Sequence, residues 1–327
     1  MTGGSLPTAV LLVAAALAGS SGEEITRFAD PQIVESSGLV VWGDTFLTVN
    51  DSGDTGRVFV VDGHTGRTVR EVVWAPSPSD VEALAPGDDD AVWVADIGDN
   101  LESRDSVLLA LVPLDGSAAS SYAVRYPGGP ADAETLLRHP GNGQLFIVTK
   151  SVFGGRVLAV PTNIGRDRPT KQARLLQELG SVAGLATDGA FFPDGRHLIV
   201  RNYTRAFVYA FPTLDLVGAF DLPDQEQGEG LAVAGPDSVY LSSEGVAAPI
   251  VRVPLPASVL DGMRAASGGP TGPGPTEAPA DSPATPPEAG PVTESTPSRA
   301  LPRAVWPLLG AVLAGVLLLA LSLRRRR

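Results

Sequence analysis

Acidic residues recur at matching places in short, β-rich segments of this chain. The stretches TVNDSGDTG and VADIGDN both contain Asp-x-Gly-Asp, beginning at Asp51 and Asp96. Three glutamates, each two residues before a leucine, stand at Glu82, Glu134 and Glu229. Converging carboxylates can hold a hard cation such as Ca²⁺, and a protonated and an ionised acid at a set separation can cleave glycosides. Whether these acids converge depends on the elements that carry them.

A short signature containing a leucine recurs through the chain. Its copies read SSGLVV, VEALAP, AETLLR, AGLATD and EGLAVA, with the leucines at positions 39, 84, 136, 185 and 231. The repeat length is roughly 45–50 residues, which is the length of a four-stranded propeller blade. Each copy is followed by a turn and by runs rich in Val, Ile, Phe and Tyr, which is the strand signal.

The repeats predict an all-β fold, a five-bladed β-propeller over residues 24–258. The fifth unit lacks a clear fourth strand, and the N-terminal segment EITRFA has no unit of its own. We therefore expect this segment to supply the missing outer strand and close the ring, which removes an open sheet edge. Six blades are the alternative, but no sixth signature supports them.

The folded part resembles the secreted bacterial β-propellers related to the NHL, phytase-like and SdiA-regulated groups. The Glu-x-Leu-Ala type signature and the stretch DQEQGEGLAV carry this resemblance. It implies a propeller for the folded part only. The calcium-dependent phosphatase chemistry of phytase-like propellers does not follow, because their metal-ligand pattern has no residue-by-residue match here.

In a propeller, the start of the first strand and the end of the second strand of each blade lie at the same face. Polar residues at these positions are expected to converge in one central funnel as ligand-binding groups: Asp51, Glu82, Asp96, Glu134, Lys150, Arg201, Glu229 and Glu244. The candidate metal ligands, for Ca²⁺, are Glu82, Glu134 and Glu229. Two alternatives stay open: Asp-x-Gly-Asp is also ordinary turn chemistry, and Lys150 and Arg201 are also suited to be structural counter-ions.

Both ends of the chain differ in composition from the repeats. Residues 1–18 contain a short apolar core and Ala-Leu-Ala, as in a secretory signal peptide. Residues 267–303 are rich in Pro, Thr and Gly and predict a disordered stalk. Residues 305–323 are uncharged and long enough for one transmembrane helix, and the basic tail 324–327 places the C-terminus in the cytoplasm. These features predict a single-pass type I protein of a bacterial cell surface, with the propeller outside.

The composition excludes several function classes. The 327 residues carry a net charge of −13 and no cysteine, which argues against nucleic acid as a partner and excludes thiol chemistry. Motifs for Ser-His hydrolases, zinc proteases and phosphate loops are absent. We therefore expect a module that binds an extracellular ligand or protein, rather than an enzyme. The alternative is a metal-assisted or carboxylate-based hydrolase of phosphoesters or glycosides.

Overall fold

The computed structural model describes residues 22–267, except positions 52, 76, 89, 167, 170 and 171, and forms five antiparallel four-stranded sheets. Blade 1 contains β2 (Ser36–Trp42), β3 (Thr45–Asn50), β4 (Gly56–Asp62) and β5 (Thr68–Ala75). Blade 2 contains β6 (Val81–Pro86), β7 (Ala91–Asp96), β8 (Val107–Pro113) and β9 (Ser120–Arg125), with the short β13 (Arg174–Leu175) added in parallel to β9. Blade 3 contains β10 (Ala133–Arg138), β11 (Leu145–Thr149), β12 (Gly155–Ala159) and β14 (Gln177–Val182).

Blade 4 contains β15 (Asp188–Phe191), β16 (His197–Arg201), β17 (Arg205–Ala210) and β18 (Leu216–Asp221). Blade 5 contains β19 (Gly228–Val233), β20 (Ser238–Ser243), β21 (Pro249–Pro254) and β1 (Glu23–Arg27). The first strands β2, β6, β10, β15 and β19 contact one another in a closed ring. The five-bladed propeller is confirmed.

The N-terminal strand closes the ring, as the sequence predicts. β1 pairs antiparallel with β21, with Glu24 opposite Val251 and Thr26 opposite Ile250. Phe28, which directly follows β1, is buried in the apolar core between blades 5 and 1. The first folded segment of the chain is therefore the outer strand of the last blade.

Apolar side chains fill the space between neighbouring blades. Each of the five buried clusters joins two adjacent blades; for example, Val49 and Val58 of blade 1 pack in the same cluster as Val92 of blade 2. The first two strands of each blade are almost continuously buried, whereas the outer strand β5 is mostly exposed. Strands covered on both faces are apolar throughout, which explains the runs that the sequence shows.

The fourth blade begins later than the signature predicts. In the other blades the signature leucine pairs with the residue two before the end of the second strand, as Leu84 does with Val94. In blade 4 the equivalent pairing joins Ala190 to Ile199. The prediction that Leu185 is the signature residue of this blade is therefore wrong by five residues. Leu185 instead lies in the turn before β15 with a φ of 58°.

One helix, α1 (Ala257–Ser267), follows the last blade and packs against β18. Its buried residues are Val259 and Met263, one helical turn apart. Across residues 22–267, apart from the positions noted above, no helix is long and apolar enough to cross a membrane. The predicted signal peptide and transmembrane helix, and all but the first residue of the predicted stalk, lie outside the described residues.

Deleting residues 23–29 tests the closing strand. Because the deletion unpairs the edge of β21 and removes the buried Phe28, we expect the unfolding midpoint to fall by roughly 10 °C or more and aggregation to increase. Arg27→Ala is the control, since it removes an exposed ion pair with Glu24 and one exposed hydrogen bond to the carbonyl oxygen of Ala247 but keeps the closing strand. A truncated protein that stays monomeric with an unchanged midpoint in a thermal melt contradicts this account of closure.

Candidate functional site

The glutamates that the sequence singles out sit at irregularities in the first strands. The pairing register shifts between Val81 and Ala83 in β6, between Ala133 and Thr135 in β10, and between Gly228 and Leu231 in β19. Each shift brackets one glutamate: Glu82, Glu134 or Glu229. A bulge frees a residue from the regular pleat and redirects its side chain. All three glutamates are buried at the start of strands that line the central channel.

These glutamates belong to one cluster of charged side chains, the funnel. Glu134 forms an ion pair with Lys150, whose ammonium also lies 5.5 Å from the ring centre of Tyr203. Gln227 Nε2 donates to Glu229 Oε1 at 3.3 Å and to Glu244 Oε1 at 2.6 Å. Six of the eight predicted residues meet here: Asp51, Glu82, Glu134, Lys150, Glu229 and Glu244.

Three carboxylates from two neighbouring blades come close enough to share a cation. One carboxylate oxygen each of Asp51, Asp80 and Glu82 lies within 4.8 Å of the others, and no other such group occurs among the described residues. The expected trio of Glu82, Glu134 and Glu229 does not form a group of this kind, since its members belong to three different blades and Glu134 is paired with Lys150. Asp80, two residues before Glu82, is not among the ligands that the sequence predicts.

Asp96 has a structural role instead of facing the funnel. Its carboxylate accepts hydrogen bonds from the amides of Ser79 and Asp80, both at 3.0 Å, and forms a 2.7 Å ion pair with Arg104. Asn50 makes the equivalent contacts in blade 1, where its Oδ1 accepts from the amides of residues 34 and 35. Asp96 therefore corresponds to Asn50 and not to Asp51.

The two Asp-x-Gly-Asp copies are consequently not equivalent. Leu84 pairs ten residues ahead with Val94, whereas Leu39 pairs nine ahead with Thr48, so the second copy is offset by one position. Gly53 has a φ of 90°, which suits glycine in a turn. Gly98 is needed for a different reason: a Cβ there would lie 2.4 Å from Glu82 Oε1 and 2.5 Å from Asp80 Oδ2. Gly98, but not Gly53, is therefore needed to leave room for the carboxylates of Glu82 and Asp80.

Arg201 lies behind the funnel, fully buried between blades 4 and 5. Its guanidinium donates to the carbonyl oxygen of Gly230 at 3.2 Å, and it lies close enough to Asp188 and Glu229 to interact with both charges. Burial lowers the pKa of Arg201 to about 10, and these two acids oppose that shift. The counter-ion interpretation of Arg201 fits this position better than ligand binding does.

Asp188 is the acid that sequence reasoning missed. It occupies in blade 4 the position that Glu82 has in blade 2, is fully buried, and accepts hydrogen bonds from the amides of Gly189 at 2.8 Å and Leu231 at 2.7 Å. Burial raises its pKa well above the usual range, while these amides and Arg201 oppose the rise. The sequence feature that could have identified Asp188 is the similarity of TDGA (187–190) to GEGL (228–231). An alignment based on leucines does not detect this similarity.

The funnel holds its negative charge at an energetic cost. Burial, and then the charge of Asp51, raise the pKa of Glu82 well above its usual range. Burial also raises the pKa of Asp80 to about 6 and of Glu244 to about 7, in each case helped by neighbouring carboxylates. A raised carboxyl pKa means that the site favours any species that brings positive charge, whether a proton, a metal ion or a cationic group.

The other end of the channel is different in character. An apolar cavity of about 310 Å³ lies there, lined by the signature residues Leu39, Leu84 and Leu136 with Ala190 and Phe191. The polar chemistry of the channel is thus confined to the face where the first strands begin.

Gly98→Ala tests the close approach of the acids. The added methyl group would overlap the carboxylates of Glu82 and Asp80, so we expect a loss of about 1–3 kcal/mol in the free energy of unfolding. Gly141→Ala is the matched control, because its new Cβ would meet only the edge of the His139 ring at 3.2 Å. Equal stability of the two variants in denaturant titrations contradicts the packing described here.

Comparison with known proteins supports no assignment beyond the fold. No protein-family model and no curated protein sequence matches the chain. Among solved structures, the chain is similar to a PQQ-bound aldose sugar dehydrogenase from Streptomyces coelicolor, at 12% identity and a TM-score of 0.43, covering 72% of this chain and 98% of that one. It is also similar to a gluconolactonase from Xanthomonas campestris, at 16% identity and a TM-score of 0.45, covering 72% and 86%. The Dos1 propeller is 12% identical, with a TM-score of 0.35, covering 67% and 59%. The predicted resemblance to propellers is confirmed by the five-bladed ring of this chain itself.

Proposed function

We propose that this chain is a membrane-anchored extracellular β-propeller that binds its ligand in the acid-rich funnel. One observation carries the proposal: six carboxyl groups meet in one cluster, and Lys150 lies close enough to interact with four of them. The six groups belong to Asp51, Asp80, Glu82, Glu134, Glu229 and Glu244. Stability alone does not require such an arrangement, because every acid raises the pKa of its neighbours. A ligand that supplies positive charge relieves the repulsion.

A divalent cation is one source of that charge. Asp51, Asp80 and Glu82 offer three oxygen ligands, the type that Ca²⁺ prefers. These residues would hold the ion to one side of the channel, between blades 1 and 2. A cationic side chain of a larger ligand would be the alternative source of charge, and it would compete with Ca²⁺ for Glu82.

Thermal unfolding with Ca²⁺ and with chelator tests the cation site. At a Ca²⁺ concentration a hundred times the dissociation constant we expect a stabilisation of about 2.7 kcal/mol, which raises the midpoint by roughly 5–10 °C. Asp51→Asn with Glu82→Gln should abolish this increase and leave the midpoint in chelator unchanged or higher, because repulsion is relieved.

Asp44→Asn provides the control, since it removes an exposed acid from a hairpin turn at the opposite face. Its response to Ca²⁺ should match that of the wild type. A wild-type midpoint that Ca²⁺ and chelator both leave unchanged refutes the cation site.

A hydrolase is the second candidate, and the raised pKa of Glu82 favours it. A carboxyl group that keeps its proton at neutral pH is suited to act as a general acid, and the nearby Asp51 would serve as the base or nucleophile. Turnover of a phosphoester or glycoside that Glu82→Gln abolishes would favour catalysis over binding alone.

Protease treatment of intact cells stripped of their wall tests the membrane topology. The apolar run 305–323 followed by four arginines motivates the proposal that the propeller lies outside. External protease is expected to release the whole propeller by cutting the Pro-rich segment after residue 267, and permeabilised cells are the control. Protection of the propeller in intact but not in permeabilised cells would place it inside.

A further inference from the structure

Exposed apolar side chains surround the mouth of the funnel. We call this set the rim: Val34, Leu101, Val152, Phe153, Leu185 and Val246. Phe153 is 96% exposed and Leu101 is 87% exposed. All six lie in loops that precede a first strand or join a second strand to a third, which places them at the face where the funnel opens.

The rim has two apolar edges held by backbone hydrogen bonds. On one side, the amide of Gly245 donates to the carbonyl oxygen of Val34 at 2.8 Å, which brings Val34 beside Val246. On another, the amide of Leu185 donates to the carbonyl oxygen of Ser151 at 2.9 Å, which brings Leu185 beside Val152. These edges come from blades 5 and 1 and from blades 3 and 4, so they stand on different sides of the channel.

Funnel residues lie within three positions of each apolar edge. Lys150 precedes the turn that carries Val152 and Phe153, and Glu244 precedes Val246. Apolar contact and negative charge are therefore combined on one surface. An exposed apolar surface that adjoins polar residues is a feature of protein interaction sites.

A buried carboxyl group in the funnel lacks a donor that it needs. Among the described residues, Oε2 of Glu134 has no hydrogen-bond partner, although its Oε1 is paired with Lys150. The Glu134 residue is 5% exposed. An unpaired buried acceptor is costly, and a charged donor entering from the mouth would satisfy it.

We propose that the funnel and rim together dock a basic segment of a protein partner. An arginine or lysine side chain enters the funnel toward Glu134 and Glu82, and apolar side chains on either side of it contact the rim. Charge complementarity selects this occupant, because the mouth offers carboxylates in excess of Lys150. A desolvated arginine surrounded by apolar contacts is also the usual composition of an interface hot spot. The inference rests on the proposed binding function and names its partner.

Selection of random peptides displayed on phage tests the inference on the full-length protein in detergent micelles with chelator, so that Ca²⁺ does not occupy Glu82. We expect the selected peptides to carry an arginine or lysine flanked by apolar residues. Their affinity should fall about tenfold for Glu82→Gln with Glu134→Gln, which removes charge but keeps shape. Phe153→Ser with Val246→Ser should weaken binding similarly while leaving the unfolding midpoint unchanged, since both side chains are exposed.

Val69→Ser with Val73→Ser is the matched control, because these exposed valines lie on the outer strand β5, away from the funnel. It should bind the selected peptides as the wild type does. Peptides that depend on Glu82 and Glu134 but carry no basic residue would overturn this inference and leave the proposed function standing. If substitutions in the funnel and in the rim all leave the affinity for the peptides unchanged, both this inference and the proposed function are refuted. Binding of zwitterionic vesicles that Phe153→Ser with Val246→Ser abolishes, in place of peptide enrichment, would make the rim a membrane contact and overturn the inference.

Discussion

The pairing of β1 with β21 is the constraint on which the rest of the molecule depends. Each apolar cluster is shared by two blades, so no blade has a complete core of its own. The ring must therefore close before every blade is covered on both sides, because blades 1 and 5 cover each other only in the closed ring. Closure by the N-terminal strand also fixes the positions of Glu229 and Glu244 in blade 5 relative to Asp51 in blade 1, and thus the geometry of the funnel.

The buried carboxylates of the funnel lower the stability of the folded protein. Burial disfavours ionised carboxylates, and the like charges of Asp51, Asp80 and Glu82 add to that cost. Lys150 lowers this energetic cost only for Glu134 and the acids near it. Elsewhere the chain pairs its acids economically: Asp96 with Arg104 and two amides, and Asp188 with Arg201 and two amides. The scaffold acids thus each receive two backbone hydrogen bonds, whereas the funnel acids are crowded by one another.

Most of the fold was predictable because blade packing imposes a strong pattern on the sequence. Each first strand needs a small or apolar anchor at the same place, so five anchors predict five blades. The residue at this place in blade 4 is Ala190. The sequence comparison aligned only leucines, so it assigned the place to Leu185. For the same reason it missed Asp188. Helix α1 was also missed, since its core contact consists of Val259 and Met263 alone and it lies next to a Pro-rich segment.

The site was only partly predictable, because its contacts join residues of different blades. Spacing placed the glutamates correctly, since four of the five first strands repeat the same bulge. It could not show that Asp80 approaches Asp51 across the boundary between two blades, nor that one extra residue in a hairpin moves Asp96 out of the funnel. Such offsets depend on loop lengths, which vary from blade to blade without a repeating pattern.

The buried Asp188 and Arg201 also break the equivalence of the five blades. Blades 2, 3 and 5 present glutamates at the channel, whereas blade 4 presents the buried Asp188, which accepts hydrogen bonds from two backbone amides, and blade 1 presents Ser37. A perfectly repeated ring would offer a guest five equivalent rotations about its axis. In this ring the five rotations differ, so the proposed partner segment would fit in one orientation only.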